Sequence, residues 1–237
     1  AAGGIGQPLA LLLKYNPMVL NLTLFDAVNT TGLAMDLSHI DTSTKVFSCD
    51  SIPKEAENSD IVVIAAGRAR KQGMTRDDLF KMNASIIKEI LDELLTIKHT
   101  PKIAIITNPI NSIVPFAYRY YSKMCSPQSP DFYNRIFGIT TLDCVRSSTF
   151  YANYLGKDPR DVIVPVVGGH SDTTMVPLFS MSNFPLDDES VALRLTKEVR
   201  EAGTRVVEAK KGAGSATLSM AYAANRFINS LLEAHYG

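Results

Sequence analysis

Two short apolar stretches, DIVVIA at residues 60–65 and KIAIIT at residues 102–107, decide the fold class of this chain. Both are rich in β-branched residues and are bounded by turn formers, which is typical of strands buried in a parallel sheet. The segment between them repeats apolar residues at steps of three and four and therefore predicts a helix. The repeating residues are Leu79, Met82, Ile86, Ile90 and Leu94. A strand, a helix and a second strand in this order form a βαβ unit, so the sequence predicts an α/β fold.

The flanking sequence continues the alternation of strands and helices. Thr75 with Asp78 offers a capping box at the start of the predicted helix, and Pro101 closes it. Further predicted elements are a strand at Asn21–Phe25 and helices at Gly4–Leu13 and Asn111–Tyr121. The first half of the chain therefore predicts a parallel sheet that is covered by helices on both faces.

The pattern changes after about Gly138. Shorter strands are predicted at Asp161–Val167 and Thr173–Leu178, and two long helices at about Asp188–Ala209 and Ala216–His235. We therefore expect two domains, residues 1–139 with the parallel sheet and residues 140–237 with an α+β arrangement.

Composition excludes several classes of protein. The chain has 237 residues, with 24 Lys and Arg against 24 Asp and Glu. This balance lacks the basic excess that binding to nucleic acid or to an anionic membrane needs. The longest uncharged aliphatic run, Ile61–Gly67, is far shorter than the roughly 18 residues of a membrane-spanning helix. The three cysteines form no CxxC pair, which argues against a disulfide framework and favours a reducing compartment.

A glycine-rich loop and an acidic residue predict a dinucleotide site. Gly3, Gly4 and Gly6 come just before the first helical pattern, where glycines allow a pyrophosphate close to the backbone and to a helix N-terminus. Asp26 ends the next strand, 20 residues after Gly6, the spacing at which a carboxylate meets the adenosine ribose. A carboxylate there also repels the additional phosphate of NADP and so favours NAD. The alternative is an ordinary glycine turn with a solvent-exposed acidic strand end.

The segment Gly67–Arg76, GRARKQGMTR, concentrates positive charge between a strand and a helix. Its cations are Arg68, Arg70, Lys71 and Arg76. Guanidinium groups bind carboxylates through two parallel hydrogen bonds, so the segment predicts a lid that brings arginines onto an acidic substrate. A solvated basic turn is the alternative.

His170 is the candidate proton-transfer residue. It follows two glycines at a predicted strand end, and histidine exchanges protons near pH 7. Asp143 and Arg146 are three residues apart and share a helix face, and an aspartate can fix the tautomer of a histidine. A surface or structural histidine is the alternative. No GxSxG motif predicts a serine hydrolase, and the four histidines have no metal-binding spacing.

Eight motifs in order along the chain resemble those of the NAD-dependent malate dehydrogenases in the lactate/malate dehydrogenase family. They are GGIGQP, LFD, DLSHI, AAGRARKQGMTRDDLF, TNPINS, IFGITTLDCVR, VPVVGGHSD and KGAGSATLSMAYA. The resemblance is to the mitochondrial, glyoxysomal and bacterial type. It implies an NAD-binding Rossmann domain at residues 1–139 and a substrate-binding, catalytic domain at residues 140–237. The implied reaction is the reversible oxidation of (S)-malate to oxaloacetate, a step of the tricarboxylic acid cycle, with NAD as the cofactor and no metal.

The resemblance also implies roles for five residues in the chemistry. His170 would be the general base that takes the malate hydroxyl proton, and Asp143 would orient it and stabilise its protonated form. Arg146 would bind the carboxylate at the reacting end, Arg76 would polarise the C2 oxygen, and Arg70 would hold the distal carboxylate.

Further residues are implied to hold the cofactor and the substrate. Asn108 would hydrogen-bond the substrate beside the nicotinamide, and the peptide before Pro109 is expected to be cis. The implied cofactor-binding residues are Gly3, Gly6, Asp26, Asn83 and Met220.

Arg70 is the residue on which specificity is expected to depend. By the same resemblance, lactate dehydrogenases have glutamine at this position, and an unpaired buried guanidinium penalises a substrate that lacks a second carboxylate. A broader dehydrogenase of lactate- or aryl-type 2-hydroxy acids is the alternative. A non-catalytic binding protein on this fold is the remote alternative, since all the implied chemical residues are present.

The resemblance leads to three further expectations. The usual lid sequence is close to Val-Pro-Arg-Lys-Pro, whereas this chain has RARKQ at residues 68–72, so Arg68 is an additional cation of unknown use. Family members have two domains of about 150 residues each, so we expect the first strand and the C-terminal strands and helix to be absent from this sequence. The protein is expected to be a homo-oligomer, either a dimer or a tetramer. Its expected compartment is the mitochondrion, with a peroxisome-type organelle or the cytoplasm as alternatives.

Overall fold

The chain folds into two units in the computed structural model. The structure describes residues 1–52, 56–68, 75–98, 101–124, 134–211 and 213–236. One unit comprises Ala1–Ile139 with Thr217–Gly237, and the other comprises Thr140–Ala216.

The first unit alternates helices and strands as predicted. Along residues 1–139 its elements are α1 Gly6–Lys14, β1 Asn21–Leu24, α2 Thr31–Ser38, β2 Lys45–Ser48, β3 Ile61–Ile64, α3 Arg76–Leu94, β4 Lys102–Ile105, α4 Ile110–Met124 and β5 Ile136–Gly138. Among the described residues, β1 and β2 form one parallel pair, and β3, β4 and β5 form a parallel sheet with β4 in the middle. The predicted βαβ unit is therefore confirmed, with Ile61 opposite Lys102 and Ile64 opposite Ile105.

Helix α3 begins with the capping box that the sequence predicts. The Thr75 side chain accepts a hydrogen bond from the Asp78 N–H, and the Asp78 carboxylate accepts one from the Thr75 N–H. The buried stripe of the helix, however, is Leu79, Asn83, Ile87, Leu91 and Leu94. Ile86 and Ile90, on the predicted face, are only partly buried. A polar residue thus occupies a core-facing position that apolar periodicity alone does not find.

The last helix, α7 at Leu218–Tyr236, belongs to the first unit by packing. Ala221, Ala224 and Ile228 of this helix share a buried cluster with Leu9 and Leu13 of α1. From its place in the sequence, this helix was predicted to belong to the second domain, because it follows that domain along the chain. The domain boundary between residues 139 and 140 stays a prediction. The packing shows that the final segment, Thr217–Gly237, belongs to the first unit.

The second unit combines α5 at Thr141–Leu155 and α6 at Glu189–Ala209 with an antiparallel pair, β6 at Val166–Gly168 and β7 at Met175–Pro177. Its core includes Tyr151, Val164, Phe179 and Leu195.

The strand predicted at Asp161–Val167 is correct only at its end. The Ile163 N–H donates a hydrogen bond to Oδ1 of Asn183, and the Val164 N–H donates one to Oγ of Ser148. Pro165 has no N–H to donate. The segment therefore directs its backbone donors to side chains instead of to a neighbouring strand.

The buried stripe of α3 allows a test of where the first unit has its core. Leu91 is fully buried, so Leu91→Ala should lower the free energy of unfolding by about 2–5 kcal/mol through lost burial and a residual cavity. Chemical denaturation followed by circular dichroism measures this. Leu11 on α1 is 42% exposed, and Leu11→Ala should change the same quantity by no more than about 0.5 kcal/mol. Equal losses in the two variants would contradict the assignment of the core.

Candidate active site

A buried carboxylate and a histidine form the most distinctive polar pair of the second unit. The Nδ1 atom of His170 lies 2.7 Å from Oδ2 of Asp143. The Asp143 side chain is 4% exposed, whereas that of His170 is 29% exposed. Among the described residues, the second carboxylate oxygen, Oδ1, has no hydrogen-bond partner. The pair predicted from sequence is therefore brought together, with the carboxylate on the inner side and the imidazole on the outer side.

Local structure explains the position of both members of the pair. Asp143 lies in the first turn of α5, where the positive end of the helix dipole favours a carboxylate. His170 follows β6, whose last residue, Gly168, has φ +84°. A Cβ at Gly168 would lie 2.1 Å from the Thr174 carbonyl oxygen. Only glycine fits this turn, which carries the chain from β6 to His170.

The hydrogen bond determines which imidazole nitrogen is basic. An ionised carboxylate only accepts hydrogen bonds, so Nδ1 of His170 must carry the proton that lies between the two groups. The neutral ring then has its lone pair on Nε2. The arrangement can therefore remove a proton through Nε2 and stabilise the resulting positive charge through Asp143.

Arg146 lies one helical turn after Asp143 and is half-buried. Burial lowers the pKa of Arg146, and the negative charge of Asp143 opposes this change. On α6, Gly203 is placed so that a Cβ there would lie 3.7 Å from Nη1 of Arg146. No ion pair joins Arg146 to a carboxylate within the described ranges. A half-buried guanidinium without such an ion pair favours an anionic ligand. A bound carboxylate would replace the interactions with water that the guanidinium loses on burial.

Polar groups of the first unit collect where β3 and β4 end. Asn108 follows β4 and is exposed. Its Oδ1 accepts a hydrogen bond from the Ile110 N–H at 3.3 Å. The Asn108–Pro109 peptide is cis, as the resemblance implied. The Asn83 side chain is 1% exposed and bonds to the backbone of Arg68 and Asn108. The resemblance implied that Asn83 lines the cofactor pocket, and this stays a prediction; its amide contacts the two segments that border this sheet edge.

The glycine loop has the features that a dinucleotide needs. Helix α1 begins at Gly6 without a side-chain cap, so its N-terminus is not closed by one of its own side chains. A Cβ at Gly6 would lie 2.2 Å from the Ala1 carbonyl oxygen, whereas a Cβ at Gly3 would have no atom within 4 Å. Gly6 therefore serves close packing, and Gly3 keeps the loop surface open.

Asp26 follows β1 and accepts a hydrogen bond from the N–H of Ala2 at 2.8 Å. An ionised carboxylate beside the glycine loop fits the ribose end of NAD.

The structure describes the remaining predicted site residues to different extents. Met220 on α7 is half-buried and packs on the cluster shared by α1 and α7. Arg76 begins α3, and the structure describes its backbone only. Arg70 lies outside the described residues. Within the described ranges, no group of three or more His, Cys, Asp or Glu side chains could hold a metal ion, and no helix is long and apolar enough to cross a membrane.

Two family signatures cover nearly the whole chain. The lactate/malate dehydrogenase NAD binding domain matches residues 1–138, and the lactate/malate dehydrogenase alpha/beta C-terminal domain matches residues 140–237. The chain belongs to the lactate/malate dehydrogenase family. The predicted family, the α/β fold with an NAD-binding domain, and the class of NAD-dependent oxidoreductase are thereby confirmed.

Curated relatives and solved structures agree with this assignment. The chain is 49% identical to mitochondrial malate dehydrogenase of Caenorhabditis elegans, over 98% of the chain and 68% of that protein. It is 48% identical to glyoxysomal malate dehydrogenase of Oryza sativa, over 98% of the chain and 65% of that protein. Malate dehydrogenase of Cryptosporidium parvum is similar in structure, with a TM-score of 0.81, 28% identity, and coverage of 100% of this chain and 77% of that one. Lactate dehydrogenase of Eimeria maxima, solved with NADH and oxamate, has a TM-score of 0.82 at 26% identity, covering 97% and 72%.

One residue that shapes these sites was not predicted from the sequence. The Thr107 hydroxyl donates a hydrogen bond to the Ala66 carbonyl oxygen at 2.5 Å. A threonine at the end of a strand carries no local signal for such a contact.

The hydrogen bond from His170 to Asp143 predicts the tautomer of the histidine. At a pH where the ring is neutral, ¹⁵N NMR should place the His170 proton on Nδ1. In Asp143→Asn the amide can donate to Nδ1, so the proton should move to Nε2. The spectrum of His170→Asn identifies the signals. A wild-type ring protonated on Nε2 would contradict the geometry.

Proposed function

We propose that the protein catalyses the reversible oxidation of (S)-malate to oxaloacetate with NAD, and that His170 is its general base. The observation that carries the proposal is the 2.7 Å contact between His170 and the buried Asp143, which directs the imidazole lone pair to Nε2. The names of the relatives, malate dehydrogenases at 48–49% identity, support malate as the substrate.

Proton transfer is the step in which the chain itself does the chemistry. In malate oxidation, Nε2 of His170 takes the proton of the C2 hydroxyl while hydride leaves C2, and the ring becomes positively charged. Asp143 stabilises that charge from within the protein, where a carboxylate that hardly contacts water is a strong partner. Bound NAD supplies the acceptor for the hydride. In the reverse direction the protonated His170 returns the proton to the oxygen of oxaloacetate.

Substrate orientation is assigned to the arginines and to Asn108. Arg146 binds the carboxylate next to C2, which fits its half-buried guanidinium beside Asp143. Arg70 binds the distal carboxylate, Arg76 polarises the C2 oxygen, and Asn108 donates a hydrogen bond to the substrate. Two arginines on two carboxylates leave the substrate one orientation, which places the C2 hydrogen for transfer.

Cofactor binding is assigned to the first unit. Gly3 and Gly6 admit the pyrophosphate, and Asp26 binds the ribose hydroxyls and disfavours NADP. Met220 and Asn83 were the other predicted pocket residues. We keep Met220 as a lining residue, and we assign Asn83 a different role below.

The names of the relatives support a proposal about the compartment. Two of them are named for mitochondria and glyoxysomes, so we propose an organelle enzyme, mitochondrial in the first place and part of the tricarboxylic acid cycle. We also propose a homodimer or tetramer without nucleic-acid or membrane partners. A broader 2-hydroxy acid dehydrogenase is the second candidate, because the lactate dehydrogenase of Eimeria maxima is as similar in backbone as the malate dehydrogenase.

Initial rates of NADH oxidation with oxaloacetate, pyruvate and phenylpyruvate test the substrate. We expect kcat/KM to be highest for oxaloacetate by a wide margin. Arg70→Gln should lower kcat/KM for oxaloacetate by about 10²-fold or more, since the charged partner proposed for the distal carboxylate is lost, and should change the value for pyruvate little.

Lys71→Gln is the matched control, because it removes the same charge one residue later and should leave kcat/KM for oxaloacetate within about threefold. Equal losses on oxaloacetate and pyruvate in Arg70→Gln would overturn the role of Arg70. A wild-type preference for phenylpyruvate would instead favour the second candidate.

A further inference from the structure

The polar member of the buried α3 stripe, Asn83, requires an explanation. Its neighbours along the stripe, Leu79 and Ile87, are core residues, and Asn83 itself is 1% exposed. A primary amide loses its hydrogen bonds to water when it is buried, which is costly unless protein groups replace them. An apolar residue of similar size would avoid this cost, so the amide must serve a purpose beyond filling the core.

Among the described residues, the Asn83 side chain makes three hydrogen bonds, all of them to backbone atoms. Its Oδ1 accepts from the Arg68 N–H at 2.8 Å, and its Nδ2 donates to the carbonyl oxygens of Arg68 at 3.3 Å and Asn108 at 2.6 Å. These bonds use both amide hydrogens. Because the group is also shielded from solvent, its geometry fits attachment of two backbone segments better than direct contact with a bound molecule.

The two attached segments are those that carry the substrate-binding groups. Arg68 is the first residue after Gly67, at the start of the segment that includes Arg70 and Arg76. Asn108 is itself assigned to the substrate. Both segments leave the same edge of the sheet, since Ile64 of β3 lies opposite Ile105 of β4.

Neighbouring contacts keep this attachment tight. The Ile106 N–H donates to the Ile64 carbonyl oxygen at 2.9 Å, and the Thr107 hydroxyl then bonds to Ala66 beyond the sheet. Gly67 has φ +139°, and a Cβ there would lie 2.8 Å from Cγ2 of Thr107 and 3.3 Å from Oδ1 of Asn83. The glycine therefore leaves the space that the amide needs.

We propose that Asn83 is a positioning residue. Its amide fixes the backbone of Arg68 relative to that of Asn108, and so fixes the starting points of the two segments that carry the substrate-binding side chains. This inference rests on the proposed function for the roles of Asn108 and the arginines. It replaces the sequence-based prediction that Asn83 binds the cofactor directly.

The first test is hydrogen exchange, which needs neither substrate nor cofactor. Exchange measured by NMR or mass spectrometry should show a protected Arg68 N–H in the wild-type protein. Asn83→Ala should speed this exchange by about tenfold or more, because the Oδ1 acceptor is lost. Ile87→Val is the matched control, one turn further along the same stripe, and should leave the Arg68 N–H protected.

The second test separates positioning from stability and from cofactor binding. Asn83→Asp keeps the size of the side chain and an acceptor for Arg68, but places an oxygen against two carbonyl groups. We expect it to lower kcat/KM for oxaloacetate by about 10–100-fold while the Kd of NADH, measured by fluorescence, changes by less than about threefold. Ile87→Val should lower Tm by about 2–4 °C with kcat/KM within about twofold.

Three results would overturn the inference. One is a wild-type Arg68 N–H that exchanges as fast as an exposed loop amide, which decides the matter even where the variants fail to fold. Another is a loss of kcat/KM in Asn83→Asp that is no larger than in Ile87→Val. The third is an increase in the Kd of NADH that equals the loss of kcat/KM, which would make Asn83 a cofactor ligand. Absence of oxaloacetate turnover in the wild-type protein would instead refute the proposed function, and the exchange result would still test the role of Asn83.

Discussion

A buried carboxylate needs a partner, and in this chain the partner of Asp143 is Nδ1 of His170. The constraint works in both directions. Asp143 at the start of α5 holds the imidazole in one orientation and one tautomer, which leaves Nε2 as the basic nitrogen of the neutral ring. The turn at Gly168 and the half-buried Arg146 one helical turn away are arranged around the same two residues. The proton chemistry of the second unit depends on this single contact.

In the first unit, side chains hold loops at fixed places beyond the end of a sheet. Parallel strands bring their carboxyl ends to one edge, but the backbone there runs out of strand partners. Asn83 and Thr107 supply side-chain hydrogen bonds at that point, to Arg68, Asn108 and Ala66. A buried amide that costs desolvation thus stabilises the segments from which binding groups project.

Much of this could be predicted from the sequence because period and turn signals are local. The strands at Ile61–Ile64 and Lys102–Ile105, the helix between them and its capping box follow from side-chain alternation and a short polar motif. The glycine loop, Asp26 and the Asp143–His170 pair were found through spacing and family resemblance. The contact between Asp143 and His170 spans 27 residues, and only the structure gives its distance.

The rest depends on contacts that have no local signal. Hydrophobic periodicity passed over Asn83 because the amide is core-facing but polar. The strand predicted at Asp161–Val167 competes with side-chain acceptors on Asn183 and Ser148, which are distant in sequence. Likewise, α7 follows the second unit along the chain but finds its apolar partner surface on α1.

The most direct test of the central claim is the turnover of His170→Asn with oxaloacetate and NADH, together with its affinity for NADH. General acid–base catalysis contributes about 10²–10⁴-fold, so kcat should fall by at least about 10²-fold. The Kd of NADH should stay within about threefold of the wild type, because asparagine removes the base without disturbing the first unit. His39→Asn, at an exposed position in the first unit, is the control and should behave as wild type. A kcat for His170→Asn within about tenfold of the wild-type value would contradict the account.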